Sequence, residues 1–203
     1  MTTMLTKTPP HPIESVLLAP LDQEVIERLR ALRLMAFDVD GVLTDGRLWY
    51  GDQGEVFKSF HALDGHGLRL LKECGITVAL ITGRESGIVT RRASELGIAE
   101  VHQNIRDKLS CLKEIATRLN LTLDQVGYMG DDLIDITALR RVRFAASVPN
   151  APHYITQLAH WVADVAGGMG AARQCCDLIL AAQGRLGHYL VADNPTGLTG
   201  VIQ

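Results

Sequence analysis

Apolar residues fall along this chain in two alternating patterns. The runs Leu34 to Phe37, Ile76 to Ile81, Val126 to Met129 and Phe144 to Ser147 are almost continuously apolar and stop at glycine or polar residues, as strands buried on both faces do. Between and after them, apolar positions recur at helical spacing over Gly67 to Cys74, Ser86 to Leu96, Lys108 to Leu119, Leu133 to Leu139, Pro152 to His160 and Ala171 to Ala182. With a short strand at Glu100 to His102, this alternation implies right-handed crossovers. The expected architecture is α/β: a doubly wound, mostly parallel, Rossmann-like sheet covered on both faces.

Two segments interrupt that rhythm. Arg47 to Tyr50 and Glu55 to Phe60 flank Gly51-Asp52-Gln53-Gly54, a turn composition between aromatic-bearing runs that predicts a β-hairpin after the first strand. Pro20 to Ala31 predicts an amphipathic helix, preceded by disorder over residues 1–12. The chain therefore divides into an N-terminal extension (1–30), a main domain (31–186) and a glycine-containing mobile tail (187–203).

At 203 residues and 47% hydrophobic, the chain suits one well-filled domain. A net charge of -3 gives no global reason to bind nucleic acid or an acidic membrane. Cys74, Cys111, Cys175 and Cys176 form no CxxC pair and read as reduced, mostly buried thiols. The N-terminal residues lack the apolar stretch of a signal peptide, and no segment approaches the roughly 20 apolar residues that cross a bilayer. A cytoplasmic protein is expected.

In parallel sheets ligands bind beyond the carboxyl ends of the strands, and there the chemistry-bearing residues collect. The first strand runs into Asp38-Val39-Asp40-Gly41-Val42-Leu43-Thr44-Asp45-Gly46, with Asp38 and Asp40 two apart and so on one face of an extended chain. Two such carboxylates repel without a cation between them. Thr82-Gly83-Arg84 ends the next long strand, Lys108 opens a later helix, and Gly130-Asp131-Asp132 with Asp135 follows a further strand. An EF-hand calcium loop starting at Asp38 fails, because Val42, Leu43 and Trp49 stand where ligand, glycine and glutamate are required. Asp45, followed by Gly46, reads as a turn-capping residue.

This ordered set resembles the haloacid-dehalogenase-like phosphatases over roughly residues 34–182. The resemblance implies magnesium as cofactor, held by the Asp38 side chain, the Asp40 backbone carbonyl and the Asp131 side chain. Asp38 suits the nucleophile that forms an aspartyl-phosphate, and Asp40 the acid/base at the leaving oxygen. Thr82 and Lys108 would bind the phosphoryl group, and Asp132 and Asp135 would orient water or Lys108 from outside. Neither interval between the motifs has room for a cap domain. An open site of this kind calls for a large substrate or a neighbouring subunit as lid, and the aromatic hairpin offers an oligomer contact.

The runs DVDGVLTDG, FHALDGHG, ITGRESGIVTRR, GDDLIDI and GGMGAARQCCDLIL further resemble the 3-deoxy-D-manno-octulosonate 8-phosphate phosphatases, an uncapped, tetrameric subfamily serving lipopolysaccharide synthesis. The substrate implied is a small phosphorylated sugar acid, contacted by Thr82, Gly83, Arg84, Lys108 and Arg173. Met169 and Gln174 stand where the subfamily often carries Arg and Glu, which bears on specificity and leaves the hydrolytic residues untouched. Three other readings remain open: a phosphatase of nine-carbon, sialic-acid-type 9-phosphates, a non-catalytic oligomeric module, and a phospho-accepting signalling receiver. His61 and His66 read as surface or capping residues, and Cys175-Cys176 as core.

Overall fold

The computed structural model describes residues 11–191. In chain order the elements are α1 (Pro12–Leu18), α2 (Gln23–Arg30), β1 (Leu34–Phe37), β2 (Trp49–Gly51), β3 (Gly54–Phe57), α3 (Ala62–Glu73), β4 (Thr77–Ile81) and α4 (Gly87–Glu95). They continue with β5 (Glu100–His102), α5 (Lys108–Arg118), β6 (Val126–Met129), α6 (Ile136–Leu139), β7 (Phe144–Ser147), α7 (His153–Thr156), β8 (Trp161–Val162) and α8 (Ala171–Ala182). Six strands form one sheet in the order β5-β4-β1-β6-β7-β8, every neighbouring pair parallel. Strands β2 and β3 form the separate antiparallel hairpin that the turn composition predicted.

The sheet is parallel because every strand is followed by a crossover, and its central strand is apolar because both faces are covered. All four residues of β1 are buried, and Leu34 and Phe37 pair with Thr77 and Leu80 on one side and with Val126 and Met129 on the other. Helix α8 packs against α1, α2 and α3, while α5 packs against α6. Cys175 and Cys176 are wholly buried in α8, as core packing requires. Among the described residues no helix is long and apolar enough to cross a membrane.

The differences from expectation have local causes. Helix α1 was not predicted: its N-cap is a histidine, with His11 Nδ1 accepting from the Ile13 N–H and the Glu14 carboxylate accepting from the His11 N–H. Helix α3 begins at Ala62 rather than Gly67, capped by His61. Gly65 and Gly67 argue against a helix there by propensity, but Gly67 faces α8, where a Cβ would lie 3.1 Å from that of Cys176. The predicted helix Pro152 to His160 shrinks to the single turn α7, because Trp161 and Val162 pair with Ala146 and Ser147 as an edge strand. The helix expected over Leu133 to Leu139 opens as a 3-10 turn, Leu133–Asp135, before α6. Gly187–Tyr189, expected in the tail, form a turn against α1, with the Gly187 N–H donating to Glu14 at 2.8 Å. The expected disorder before His11 and the tail beyond residue 191 lie outside the described residues.

The fold rests on β1. Replacing wholly buried Phe37 by alanine is expected to destabilise the protein by about 3–5 kcal/mol. Urea unfolding would show this as a lower midpoint at unchanged slope.

Candidate active site

Asp38 lies one residue beyond β1, its N–H still donating to the Met129 carbonyl at 2.9 Å, so the sheet itself sets where this side chain leaves the backbone. Its Oδ1 accepts from the Val39 N–H at 2.7 Å, and its Oδ2 lies 3.0 Å from Lys108 Nζ. The chain then turns tightly: Leu43 and Thr44 N–H both donate to the Val39 carbonyl, and the Thr44 hydroxyl accepts from Gly41 and Gly46. Asp45 caps the turn by accepting from the Arg47 N–H, as its sequence context implied. Gly41 has φ +97°, and a Cβ there would lie 2.0 Å from Asp131 Oδ2, so only glycine lets Asp131 approach this loop. Residues 167 and 168 close over the loop from outside. A Cβ on Gly167 would fall 1.7 Å from the Gly41 carbonyl oxygen, and the Gly168 N–H donates to Val42.

Beneath this loop lies a buried charge cluster. Lys108, at the start of α5 and wholly buried, reaches Asp135 Oδ1 at 2.6 Å as well as Asp38. Asp135 uses both oxygens: Oδ1 also accepts from the Tyr128 hydroxyl at 2.5 Å, and Oδ2 accepts from the Asp131 and Asp132 N–H groups at 2.9 and 3.0 Å. It is thereby a buttress for Lys108 and for the 131–132 backbone. Asp131 Oδ1, by contrast, is buried with no hydrogen-bond partner among the described residues. Asp132 is exposed and caps the turn that follows, accepting from the Leu133 N–H.

One ammonium serves three carboxylates here, and the imbalance appears in their acidities. Burial, then the charge on Asp135, push Asp38 up to about 7 against the opposing pull of Lys108. Burial, then Asp38 and Asp135, push Asp131 up to about 8. Burial lowers the Lys108 ammonium's pKa, but Asp38 and Asp135 outweigh it and leave the pKa above its ordinary value. Carboxylate oxygens of Asp38, Asp131 and Asp135 lie within 4.8 Å of one another. Asp135 accepts from four donors, whereas each Asp38 oxygen has a single partner and Asp131 Oδ1 has none, so Asp38 and Asp131 keep lone pairs for a cation. An all-oxygen set short of positive charge, with one orphaned carboxylate oxygen, fits magnesium.

The Asp38–Asp40 pair that suggested a cation from sequence is arranged differently. Asp40 faces away from that shared charge: its Oδ1 accepts from the Lys58 ammonium, and its Oδ2 lies 3.6 Å from Arg84 Nε. The demand for a cation therefore comes from Asp38 with Asp131, not from Asp38 with Asp40. Thr82 continues β4 through its N–H bond to His102 and accepts from the Arg84 N–H at its hydroxyl. Gly83 leaves room for Ile134, whose Cδ1 would lie 3.1 Å from a Cβ. Arg84 bonds the Tyr50 hydroxyl on the hairpin and lies 3.5 Å from Glu55. Arg173 has other partners: Asp177 at 2.8 Å and His66 at 3.4 Å hold its guanidinium, and its N–H donates to Asp64. Sequence reasoning missed Lys58, Glu55 and Tyr128. A lysine directly after an aromatic hairpin strand and a tyrosine inside a buried strand were the available signals.

Fold and site together define a haloacid dehalogenase-like hydrolase, and the family model of that description matches residues 83–173. The 3-deoxy-D-manno-octulosonate 8-phosphate phosphatase of Yersinia pestis is 42% identical over 167 residues, covering 82% of this chain and 89% of the relative. Its Escherichia coli K12 counterpart is 39% identical over the same shares. A crystal structure of the Moraxella catarrhalis phosphatase, in complex with magnesium, phosphate and the sugar acid, is 40% identical, with a TM-score of 0.80 over 82% of this chain and 96% of that one. The chain belongs to the 3-deoxy-D-manno-octulosonate 8-phosphate phosphatase family.

The raised acidities carry a sign. The metal-free folded protein keeps protons on Asp38 and Asp131 up to about 7 and 8, where the unfolded chain has released them near 3.8. It binds more protons than the unfolded chain across that window, so these groups lose their stabilising effect as pH rises from about 4 to 8. Chelator-treated protein is expected to melt at falling temperature from pH 5 to pH 8.5, and added magnesium to flatten the trend. A metal-free melting temperature that rises over this range would contradict the charge imbalance.

Proposed function

We propose that the protein hydrolyses 3-deoxy-D-manno-octulosonate 8-phosphate to the free sugar acid and phosphate in lipopolysaccharide synthesis, by way of an aspartyl-phosphate. The observation that carries this reading is the convergence of Asp38, Lys108 and Asp131 at the strand ends, in a chain that aligns with most of the length of phosphatases bearing that name.

An Asp38 oxygen attacks phosphorus as the bond to the sugar's 8-oxygen breaks, so the phosphoryl group passes to the carboxylate. Asp40 gives its proton to the departing alkoxide. In the second half Asp40 takes a proton from water, whose oxygen attacks phosphorus and releases Asp38 with inorganic phosphate. Lys108 neutralises charge on Asp38 and on the phosphoryl oxygens, and Asp135 with Tyr128 keeps its ammonium in place. Thr82 presents its hydroxyl and adjoining backbone to the same oxygens. Asp38 and Asp131, with the Asp40 carbonyl, would hold magnesium, which would supply the positive charge that lets a phosphate dianion enter this acidic site.

Arg84, about one-third exposed, receives the carboxylate of the sugar acid through its planar fork. Between Asp40 and Lys108 the described chain holds only the hairpin, α3, β4, α4 and β5, which leaves the site without an inserted lid. Cover then comes from a neighbouring subunit of a homotetramer. Trp49, Tyr50, Val56 and Phe57 of the hairpin are about half exposed or more and supply the contact surface. Met169, exposed where the subfamily often has Arg, weakens the hold on the sugar acid. Free cysteines accord with the cytoplasm.

Phosphate release across a panel of sugar phosphates tests the assignment. The eight-carbon 8-phosphate is expected to be preferred over nine-carbon 9-phosphates, with magnesium required. Asp38→Asn is expected to lower kcat by about 10⁴-fold or more. Wild-type turnover in that variant would remove the nucleophile, and preference for the nine-carbon ester would replace the substrate.

A further inference from the structure

Lys58 stands just beyond the hairpin strand β3, and nothing above assigns it a part in the reaction. Its side chain is 1% exposed, its ammonium bonds Asp40 Oδ1, and it lies 2.9 Å from Glu55 Oε1. Burying an ammonium is costly unless carboxylates answer it, and here the largely buried Asp40 and Glu55 both do so. Two other carboxylates of the site are held by backbone: Asp38 by the Val39 N–H, and Asp135 by two N–H groups. Among the described residues the Asp40 carboxylate has only two partners, Lys58 and Arg84, and the Arg84 contact at 3.6 Å is a loose ion pair. Orientation of the Asp40 side chain therefore hangs on Lys58.

We infer that Lys58 is a positioning residue: carried by the hairpin, it fixes the carboxylate of Asp40 toward the leaving oxygen, with Glu55 as the counter-ion that ties it to Arg84. Glu55 lies between both cations, and its second oxygen accepts from the Ser86 hydroxyl at the N-cap of α4. Ser86 is itself anchored by its N–H to Gln103 at 2.7 Å. The hairpin is thus braced against two strand ends at once, and one network presents Asp40 to the reacting bond and Arg84 to the body of the substrate. This division of labour rests on the acid/base role proposed for Asp40.

The two arms of the network predict different kinetics. Lys58→Met leaves Asp40 free to rotate, and misplacement of about 1 Å costs on the order of 100-fold in rate. A fall in kcat of about that size is expected, with KM changed less than about threefold, because ground-state binding does not use Asp40. Lys58→Arg is expected to recover at least about a tenth of wild-type kcat by restoring the charge-assisted bond, and Lys58→Gln to fall between. Tyr50→Phe, which frees Arg84, is expected to raise KM and spare kcat.

A crystal structure of metal-free Lys58→Met, or of Lys58→Gln should the first not fold, reads the geometry without turnover. The Asp40 carboxylate is expected to be displaced or in several rotamers, with Asp38, Lys108 and Asp131 in place. An unmoved Asp40, or a kcat within threefold of wild type in active enzyme, would overturn the inference. Displacement of the whole charge cluster would reduce Lys58 to a structural brace and overturn it equally. Wild-type protein that releases no phosphate from any sugar phosphate would instead defeat the proposed function, while the crystal structure still decides what holds Asp40.

Discussion

A single buried ammonium facing three carboxylates is the constraint around which this protein is arranged. Lys108 touches Asp38 and Asp135 directly, and Asp131 lies close enough for both carboxylates to push its pKa up. In a low-dielectric setting such a cluster is unstable unless each charge is answered. Asp135 is answered by its four donors. Asp38 has only two and Asp131 Oδ1 none, and the negative charge left over fits a divalent cation. Filling the remaining oxygens with protein donors would have stabilised the fold and removed the chemistry.

The sheet topology makes that cluster possible. Asp38, Thr82 and Gly130 follow three adjacent strands, β1, β4 and β6, so parallel pairing alone brings their loops to one edge. Lys108 opens the helix after β5 and reaches Asp38 and Asp135 wholly buried. Glycine at Gly41 then admits Asp131, and glycine at Gly167 admits the loop before α8. A methyl group at either position would push apart elements whose separation sets the carboxylate spacing.

The sheet, α8 and the motif residues could be read from the chain because each depends on local pattern: apolar runs of the right length, and polar residues where those runs end. Asp38, Lys108 and Asp131 meet as their order implied. What could not be read was pairing across the fold. Strand β8 has two residues and exists only because β7 offers an edge, and α3 tolerates Gly65 and Gly67 because α8 and α4 press close. The same holds in the site, where Asp40 was paired with Asp38 by sequence proximity but is neutralised by Lys58 and Arg84 from other elements. Spacing shows which face a carboxylate leaves from and is silent about which cation arrives there.

This separation of partners bears on how such a site can change. Asp38, Lys108, Asp131 and Asp135 form a largely buried unit in which altering one member leaves an uncompensated charge, so the chemistry proposed for it is held tightly. Arg84, Tyr50 and Met169 are at least about one-third exposed and contribute little to the core, so substitutions there cost little in stability. Arg replaced by Met at position 169 relative to the subfamily's common pattern fits that asymmetry. Lys58 and Glu55 sit between the two regimes. Both are largely buried, yet carried by the hairpin whose outer face is exposed, and in the proposed mechanism they convey the hairpin's placement to Asp40 without exposing the acid to what the hairpin touches.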